Sequence, residues 1–347
     1  MRLLPVLFDC IFSLHASYLR CNQSNMPFNR PEDFINPLFL ANSHLQTVVP
    51  NLFRIGFGVR YIRQRIDTLD GDFLDLDWSR VGSKKLMVFS HGLENSSKAP
   101  YVVGMVKYFN KRGWDALAWN FRSCSGEMNR AIGFYHPGQT DDFQLVLDQA
   151  LDAGYEQIAL VGFSLGGAIT LRYLGEKGGR VHDKIKAAAV FSVPTDLEAC
   201  ARHLSTGTQS LYGKGFLYFY RRKMLMKEKL NPGRYDLTKW DGIQNMMDFD
   251  AAFNVDWYGF RDLSHFYGAT SSQPLLPRIQ IPTLIVNAEN DPFLPEDCYP
   301  VNEAGANPYL HLEVPEMGGH VGFVTLSWRG VFWSEARAED FFASLNL

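Results

Sequence analysis

One serine of this chain is flanked by glycines at a spacing typical of a catalytic nucleophile. Residues 162–167 read GFSLGG, and they follow the apolar run 158–161 and precede a stretch of helical composition. In this strand–turn–helix context, Gly-x-Ser-x-Gly predicts a tight turn that strains Ser164, while Gly162 and Gly166 leave the space it needs. An ordinary glycine-rich turn, as in dinucleotide or phosphate sites, is the alternative, but neither Gly-x-Gly-x-x-Gly nor Gly-Lys-Ser/Thr follows.

A histidine must accept the proton of such a serine, because the hydroxyl is a poor nucleophile at its own pKa. His320 is the candidate base, since it lies in the glycine-rich loop 316–323 after the last predicted strand. None of the other eight histidines lies in a loop after a late strand in this way.

A carboxylate must then orient the imidazole and stabilise its cation. Asp291 is the candidate, because it directly follows the predicted strand 283–287 and precedes a proline that favours an extended conformation. Glu289 is a nearby alternative. Asp196, which follows the predicted strand 187–191, is a second alternative.

Two backbone N–H groups are needed to stabilise the negative oxygen that develops during acyl transfer. Leu165, directly after the serine, is expected to supply one of them. The loop that follows the predicted strand 86–90 is expected to supply the other, and Leu93 is the expected donor. A plain strand-to-helix turn at His91-Gly92 is the alternative.

Other chemistries find little support in the sequence. There is no His-x-x-x-His or His-Glu-x-x-His pair, and an activated serine requires no ion, so we expect neither a metal nor a cofactor. Cys124 lacks the glycine-flanked turn of a nucleophile, and we expect it in a loop near the pocket mouth. Five scattered cysteines indicate reduced thiols in a cytoplasmic protein, and a net charge of −3 gives no reason to expect nucleic acid.

Strands and helices alternate along most of the 347 residues. The Asp70-Gly71 pair predicts a β-hairpin over 61–78. Further strands are expected at 86–90, 115–119, 158–161, 187–191, 283–287 and 309–314, and helices at 101–112, 141–151 and 332–345. The alternation predicts an α/β fold with a mostly parallel sheet covered by helices on both faces.

Residues 196–267 interrupt this alternation, since they are rich in aromatic side chains and contain no convincing strand. We expect a helical cap over the active site, with an ordinary helical excursion of the core as the alternative. Within it, 214–230 mixes basic and apolar residues, which favours a buried amphipathic helix with a solvated basic face. Contact with a membrane surface is the alternative for this stretch.

The predicted organisation has four parts: an N-terminal extension (1–35), a first core segment (36–195), the cap (196–267) and a second core segment (268–347). The apolar run 3–18 superficially resembles a signal peptide, but Asp9 and His15 interrupt it. A functional start near Met26 is another interpretation. Residues 36–47 mix polar and apolar side chains, which predicts a segment that wraps the surface.

The chain resembles the α/β-hydrolases and, within them, the YheT-like group. The blocks that carry the resemblance are 42–47 (NSHLQT), 91–94 (HGLE) with 96–97 (SS), 120–122 (NFR) with 124–126 (CSG), 162–167 (GFSLGG), 290–293 (NDPF) and 318–323 (GGHVGF). The resemblance implies an α/β-hydrolase fold and a serine carboxylic-ester hydrolase with Ser164, Asp291 and His320 as the triad, in the chain order usual for that fold. The family usually has glycine where this chain has Asn95 and Ser123.

The residues and the resemblance together predict a cytoplasmic serine esterase that acts through an acyl-enzyme on a small-molecule ester with an apolar group. Acyl transfer to an alcohol, with water kept out of the same site, is an alternative. A non-catalytic α/β-hydrolase scaffold that binds a ligand or a partner is another. The sequence leaves the identity of the ester open.

Overall fold

A β-sheet forms the centre of the structure, a computed structural model that describes residues 28–31, 34, 37, 41–53, 58–325 and 330–347. Within those residues the sheet has nine strands. They are β1 (Phe28–Asn29), β2 (Ile62–Asp67), β3 (Phe73–Ser79), β4 (Lys85–Ser90), β5 (Asp115–Asn120), β6 (Gln157–Phe163), β7 (Ile185–Phe191), β8 (Thr283–Val286) and β9 (Leu310–Glu313). Their order across the sheet is β1-β9-β8-β7-β6-β4-β5-β3-β2.

Only β2 and β3 run antiparallel to their neighbours, and they form the predicted hairpin, in which Ile62 pairs with Trp78 and Asp67 with Phe73. The remaining pairs are parallel. The central strands are almost wholly buried, as expected for parallel strands covered on both faces. The predicted strands after the hairpin are confirmed to within two residues at each end.

Helices cover both faces of the sheet. They are α1 (Ser43–Phe53), α2 (Pro100–Asn110), α3 (Thr140–Asp152), α4 (Leu165–Lys177), α5 (Leu197–His203), α6 (Ser210–Leu230), α7 (Met246–Phe249), α8 (Val255–Trp257), α9 (Leu263–Thr270), α10 (Val301–Ala306) and α11 (Trp333–Ser344). The π-helical turn Asp250–Asn254 joins α7 to α8, and 3-10 turns lie at Gly178–Arg180, Leu237–Gly242, Gln273–Arg278 and Glu296–Cys298.

Alternate residues of each strand enter two separate cores. Leu86 and Val88 of β4 pack in the core that contains residues of α3 and α4. Met87 and Phe89 point the other way, into the core that contains residues of α2 and α11. This alternation follows from the period of two in a strand, and it confirms the predicted sheet with helices on both faces.

The segment between β7 and β8 contains helices and turns but no strand, as the sequence predicts. Its longest helix, α6, buries Leu217, Tyr220 and Met224 on its inner face. Its outer face exposes the predicted basic residues together with large apolar side chains. No helix in the described part of the chain is long and apolar enough to cross a bilayer.

The N-terminal part of the chain differs from one of the predictions. Residues 43–53, partly predicted as a surface wrap, form α1, whose Gln46 and Thr47 are buried. Polar side chains in a sequence do not reveal that they will be buried against a distant loop. The apolar run 3–18 and Met26 lie outside the described residues.

Candidate active site

Ser164 lies at the sharp turn between β6 and α4. Its φ of +51° lies in the left-handed region, which side chains other than glycine rarely adopt. A Cβ atom at Gly166 would lie 2.4 Å from the carbonyl oxygens of Ser90 and His91, and one at Gly162 would lie 2.7 Å from the carbonyl oxygen of Gly166. The predicted strain and the predicted need for both glycines are confirmed.

Ser164, His320 and Asp291 form one hydrogen-bonded chain. The Nε2 atom of His320 lies 2.9 Å from Oγ of Ser164. The Nδ1 atom of His320 lies 2.9 Å from Oδ2 and 3.1 Å from Oδ1 of Asp291. Because a carboxylate only accepts, Nδ1 carries the proton and Nε2 is left to accept the proton of the hydroxyl. This arrangement is able to activate a serine for attack on a carbonyl carbon.

The two alternative acids have other partners. Glu289 is exposed and forms an ion pair with Arg30, with an N–O distance of 2.9 Å. Asp196 is the N-cap of α5, where its Oδ1 accepts a hydrogen bond from the N–H of Ala199 at 3.0 Å. Neither carboxylate is brought to His320, whereas Asp291 is buried directly beside it.

Helix α1 fixes the loop that carries His320. The His320 N–H donates to Oγ1 of Thr47 at 2.9 Å. Gln46 accepts through Oε1 from the N–H of Gly318 and from the side-chain amide of Asn290, each at 2.9 Å. Gln46 therefore joins the His320 loop to the loop that contains Asp291. Sequence reasoning missed this role, although the block 42–47 contributed to the family resemblance.

Phe293 covers one face of the imidazole. Its ring stacks on His320 with the centroids 3.9 Å apart and the planes at 13°, and its N–H donates to Oδ1 of Asp291 at 2.9 Å. Phe293 also contacts Tyr212 of α6, whose hydroxyl lies 2.9 Å from Nδ1 of His44. The inserted helices thus contact the residues that position His320.

The two expected oxyanion donors lie beside Ser164. Helix α4 begins at Leu165, so its N–H has no acceptor within the helix. Leu93 follows Gly92, at which a Cβ atom would come within 3.2 Å of the Ser164 Cβ. Leu93, Leu165, Ser164 and His320 line the same cavity. Two main-chain donors near a serine are suited to hold a negative oxygen.

His91 anchors the loop that precedes Leu93. Its Nε2 accepts from the N–H of Phe121 at 3.1 Å, so Nδ1 carries the proton and donates to the Gly92 carbonyl at 2.7 Å. Burial lowers the pKa of His91 to about 3. The ring is therefore neutral at physiological pH. Because both of its nitrogens bond to the backbone, neither is free to accept the serine proton, and His320 remains the candidate base.

A largely buried ion pair ties the same loop to α6. Glu94, whose φ is +53°, accepts from Nζ of Lys223 and from the hydroxyl of Tyr135, each at 2.8 Å. The Glu94 side chain is 3% exposed, so the carboxylate is held by these partners rather than by water. No local sequence pattern signals this pair, because its members are 129 positions apart.

Cys124 is a poor candidate for a nucleophile. Burial raises the pKa of its thiol to about 11, although Lys223 donates to its sulfur at 3.3 Å and partly offsets this effect. The thiol is therefore neutral, whereas thiol chemistry needs the thiolate. The neighbouring Ser123 has a φ of +61°, in line with the glycine that the family usually has there; Asn95 does not adopt a left-handed conformation.

A cavity of about 760 Å³, including its opening, extends from Ser164 and His320 among the inserted helices. Its walls are mainly apolar, and the inserted helices contribute a set of large side chains: Leu197, Phe216, Tyr220, Met246 and Phe266. In the described part of the chain, no group of three or more His, Cys, Asp or Glu side chains is arranged to hold a metal ion. The cavity suits an apolar group next to a reactive serine.

Asp250 is the carboxylate in this apolar wall. It begins the π-helical turn, and its oxygens accept from the Tyr267 hydroxyl at 2.7 Å and the Asn254 amide at 2.6 Å. Burial raises the pKa of Asp250 to about 7, and the two hydrogen bonds only partly oppose that effect. Because the folded protein binds the proton more tightly than the unfolded chain, ionisation of Asp250 destabilises the fold.

The substitution Asp250→Asn is therefore expected to change how stability depends on pH. The native proton on Asp250 contributes fully below the ordinary pKa of 3.8, and its contribution is lost as the pH rises towards 7. From pH 4 to pH 8 the free energy of unfolding of the wild type should fall by roughly 2–4 kcal/mol relative to the variant. Urea unfolding of both proteins at several pH values measures this difference. Parallel pH dependences would show that Asp250 titrates normally.

Comparison with known proteins adds to this geometry. A family model described as the alpha/beta hydrolase fold matches residues 85–325. "Putative esterase YheT" of Escherichia coli (strain K12) is 34% identical over 90% of this chain and 94% of its own length. "Phospholipase ABHD3" of Homo sapiens is 26% identical over 78% of this chain and 68% of its own length. A solved structure of the Pyrococcus furiosus esterase PF2001 has a TM-score of 0.54 at 18% identity, covers 82% of this chain and 91% of its own, and supports the fold alone.

Proposed function

The chain belongs to the α/β-hydrolase family and to its YheT-like group, and from this we propose that it is a serine hydrolase that cleaves carboxylic esters. The observation that carries the proposal is the continuous hydrogen-bonded chain from Asp291 through His320 to Ser164. The left-handed backbone at Ser164 supports it further, since such strain persists where the surrounding structure enforces it.

The first half-reaction forms an acyl-enzyme. Ser164 Oγ attacks the ester carbonyl carbon while His320 Nε2 takes its proton, and Asp291 stabilises the imidazolium through Nδ1. The carbonyl oxygen becomes negative and is held by the N–H groups of Leu93 and Leu165. The oxyanion then collapses to a carbonyl group and the bond to the ester's alkoxy oxygen breaks, while His320 donates its proton to that leaving oxygen, so the alcohol departs.

The second half-reaction releases the acid. Water attacks the acyl carbon as His320 accepts one of its protons, and the same N–H groups hold the second oxyanion. Collapse of this intermediate breaks the bond to Ser164 Oγ, which regains its proton from His320. The products are one alcohol and one carboxylic acid.

We propose that the substrate is a small-molecule ester with an apolar group and that the helices of residues 196–267 act as a cap. The apolar cavity wall contributed by these helices supports both points. Relatives named as a phospholipase and, in Saccharomyces cerevisiae (29% identical over 70% of this chain and 55% of that relative), as a monoacylglycerol lipase agree with an apolar substrate. The free thiols of Cys124, Cys200 and Cys298 support a cytoplasmic location.

A fluorophosphonate probe tests the proposal, because it reacts covalently with an activated serine. The wild type is expected to become labelled, and Ser164→Ala is expected to remain unlabelled while folded by circular dichroism. Ser344→Ala is the matched control, since Ser344 is exposed at the end of α11, and it should label like the wild type. A folded wild type that resists the probe, or labelling that persists in Ser164→Ala, would contradict the mechanism. Hydrolysis of p-nitrophenyl esters of increasing chain length would then define the acyl preference.

A further inference from the structure

Helix α6 exposes an apolar outer face. The large apolar side chains on it are between 46% and 70% exposed: Leu211, Tyr218, Phe219, Leu225, Met226 and Leu230. At 100° per residue these positions fall within an arc of about 140°. The buried residues of the helix, which include Leu217, Tyr220 and Met224, fall on the opposite side. The exposed face is therefore a second apolar stripe that the fold leaves uncovered, and we call it the outer α6 face.

The outer α6 face also carries positive charge. Arg222 and Lys229 lie within the same arc, and Lys214 and Arg221 border it; all four side chains are exposed. The single acidic residue of the helix, Glu228, instead accepts hydrogen bonds from the N–H groups that follow the helix, those of Gly233 and Tyr235. The chain as a whole has a net charge of −3, so this face is a local basic surface on an acidic protein.

We propose that the outer α6 face docks on the surface of a lipid bilayer that contains anionic lipids. A helix with aromatic and aliphatic side chains next to Lys and Arg matches the chemistry of such an interface, where apolar groups insert and cations contact headgroups. Its charges suit a helix that lies on the bilayer rather than one that spans it. Charge disfavours a second copy of the chain as the occupant, since two basic faces would repel each other.

The inner face of α6 lies next to the catalytic cavity, so membrane docking of the outer α6 face would affect catalysis. Phe216 and Tyr220 of α6 line the cavity that contains Ser164. Tyr212 contacts Phe293, which stacks on His320. A bilayer bound to α6 would therefore lie one helix diameter from the cavity. This consequence, the supply of apolar esters from the bilayer, rests on the proposed function, whereas docking itself does not.

Flotation of the full-length protein with vesicles tests the proposal. The wild type is expected to float with phosphatidylcholine vesicles that contain phosphatidylserine, more weakly with phosphatidylcholine alone, and less as salt is raised. Arg222→Glu/Lys229→Glu should lower the partition coefficient by about tenfold or more. The matched control, Lys111→Glu/Lys186→Glu, makes the same charge change at two exposed lysines outside α6 and should bind like the wild type. Phe219→Ser/Leu225→Ser should also lose about tenfold, because it removes apolar insertion.

Three outcomes would overturn the docking proposal. They are no preference for anionic vesicles, equal losses in the control and in Arg222→Glu/Lys229→Glu, and a dimer in sedimentation that Phe219→Ser/Leu225→Ser abolishes. Every variant should hydrolyse a soluble short-chain ester at the wild-type rate without lipid, because the substituted side chains face outward. If none of the proteins hydrolyses the ester but the wild type still floats, the proposed function fails and the docking stands.

Discussion

Alanine at Ser164 is expected to lower kcat for ester hydrolysis by about 10⁴- to 10⁶-fold, because no other group can form the acyl-enzyme. Alanine at His320 should cost nearly as much, since the Ser164 hydroxyl would then keep its proton. The double variant should be no slower than the slower single variant, because the two residues act in one step and their effects do not add. Steady-state kinetics with a p-nitrophenyl ester measure all three.

Thermal unfolding of these variants distinguishes a loss of catalysis from a loss of the folded structure. Ser164→Ala loses the hydrogen bond to His320, and His320→Ala also loses the contact with Asp291, but thermal unfolding of each should remain cooperative. Ser344→Ala again serves as the control and should keep the wild-type kcat. A double variant much slower than either single variant would mean that Ser164 and His320 act independently, which contradicts their proposed roles.

Most of the sheet could be predicted from the sequence because parallel strands leave a local signal. Buried apolar runs such as 158–161 and 187–191 are short, and turn residues or loops bound them. The carboxyl ends of parallel strands meet at one edge of a sheet, and the loops after β6, β8 and β9 therefore lie close together. That is where the structure brings together Ser164, Asp291 and His320.

The positioning residues could not be predicted, because their partners are distant in the sequence. Gln46 hydrogen-bonds to Gly318, which is 272 positions away, and no local pattern signals such a contact. In the sequence Lys223 is one of several basic residues in the stretch 214–230, yet its side chain is only 12% exposed and pairs with Glu94. Membrane contact of 214–230 was predicted only as an alternative, because both faces of the helix are partly apolar and periodicity alone does not tell which one packs inward.

The second large effect is expected when the carboxylate that orients His320 is replaced. Asp291→Asn is expected to lower kcat by about 10²- to 10⁴-fold with little change in fold. The N–H of Phe293 donates to Oδ1 of Asp291, and this bond would fix the oxygen of the asparagine side chain in the same place. The amide nitrogen would then take the place of Oδ2 and point at Nδ1 of His320. Because both would be donors, the imidazole would adopt the other tautomer, and Nε2 would no longer accept the proton of Ser164.

Asp196→Asn is the matched control for this substitution, since it makes the same chemical change in the alternative acid. Asparagine caps a helix about as well as aspartate, and its oxygen can accept the Ala199 N–H, so kcat should stay within about threefold of the wild type. If Asp196→Asn abolished hydrolysis and Asp291→Asn preserved it, the proposed triad would be wrong. Equal losses in both variants would point to a shared effect on the loops around β7 and β8. The contrast between the two variants therefore tests the orientation of His320 apart from the stability of the fold.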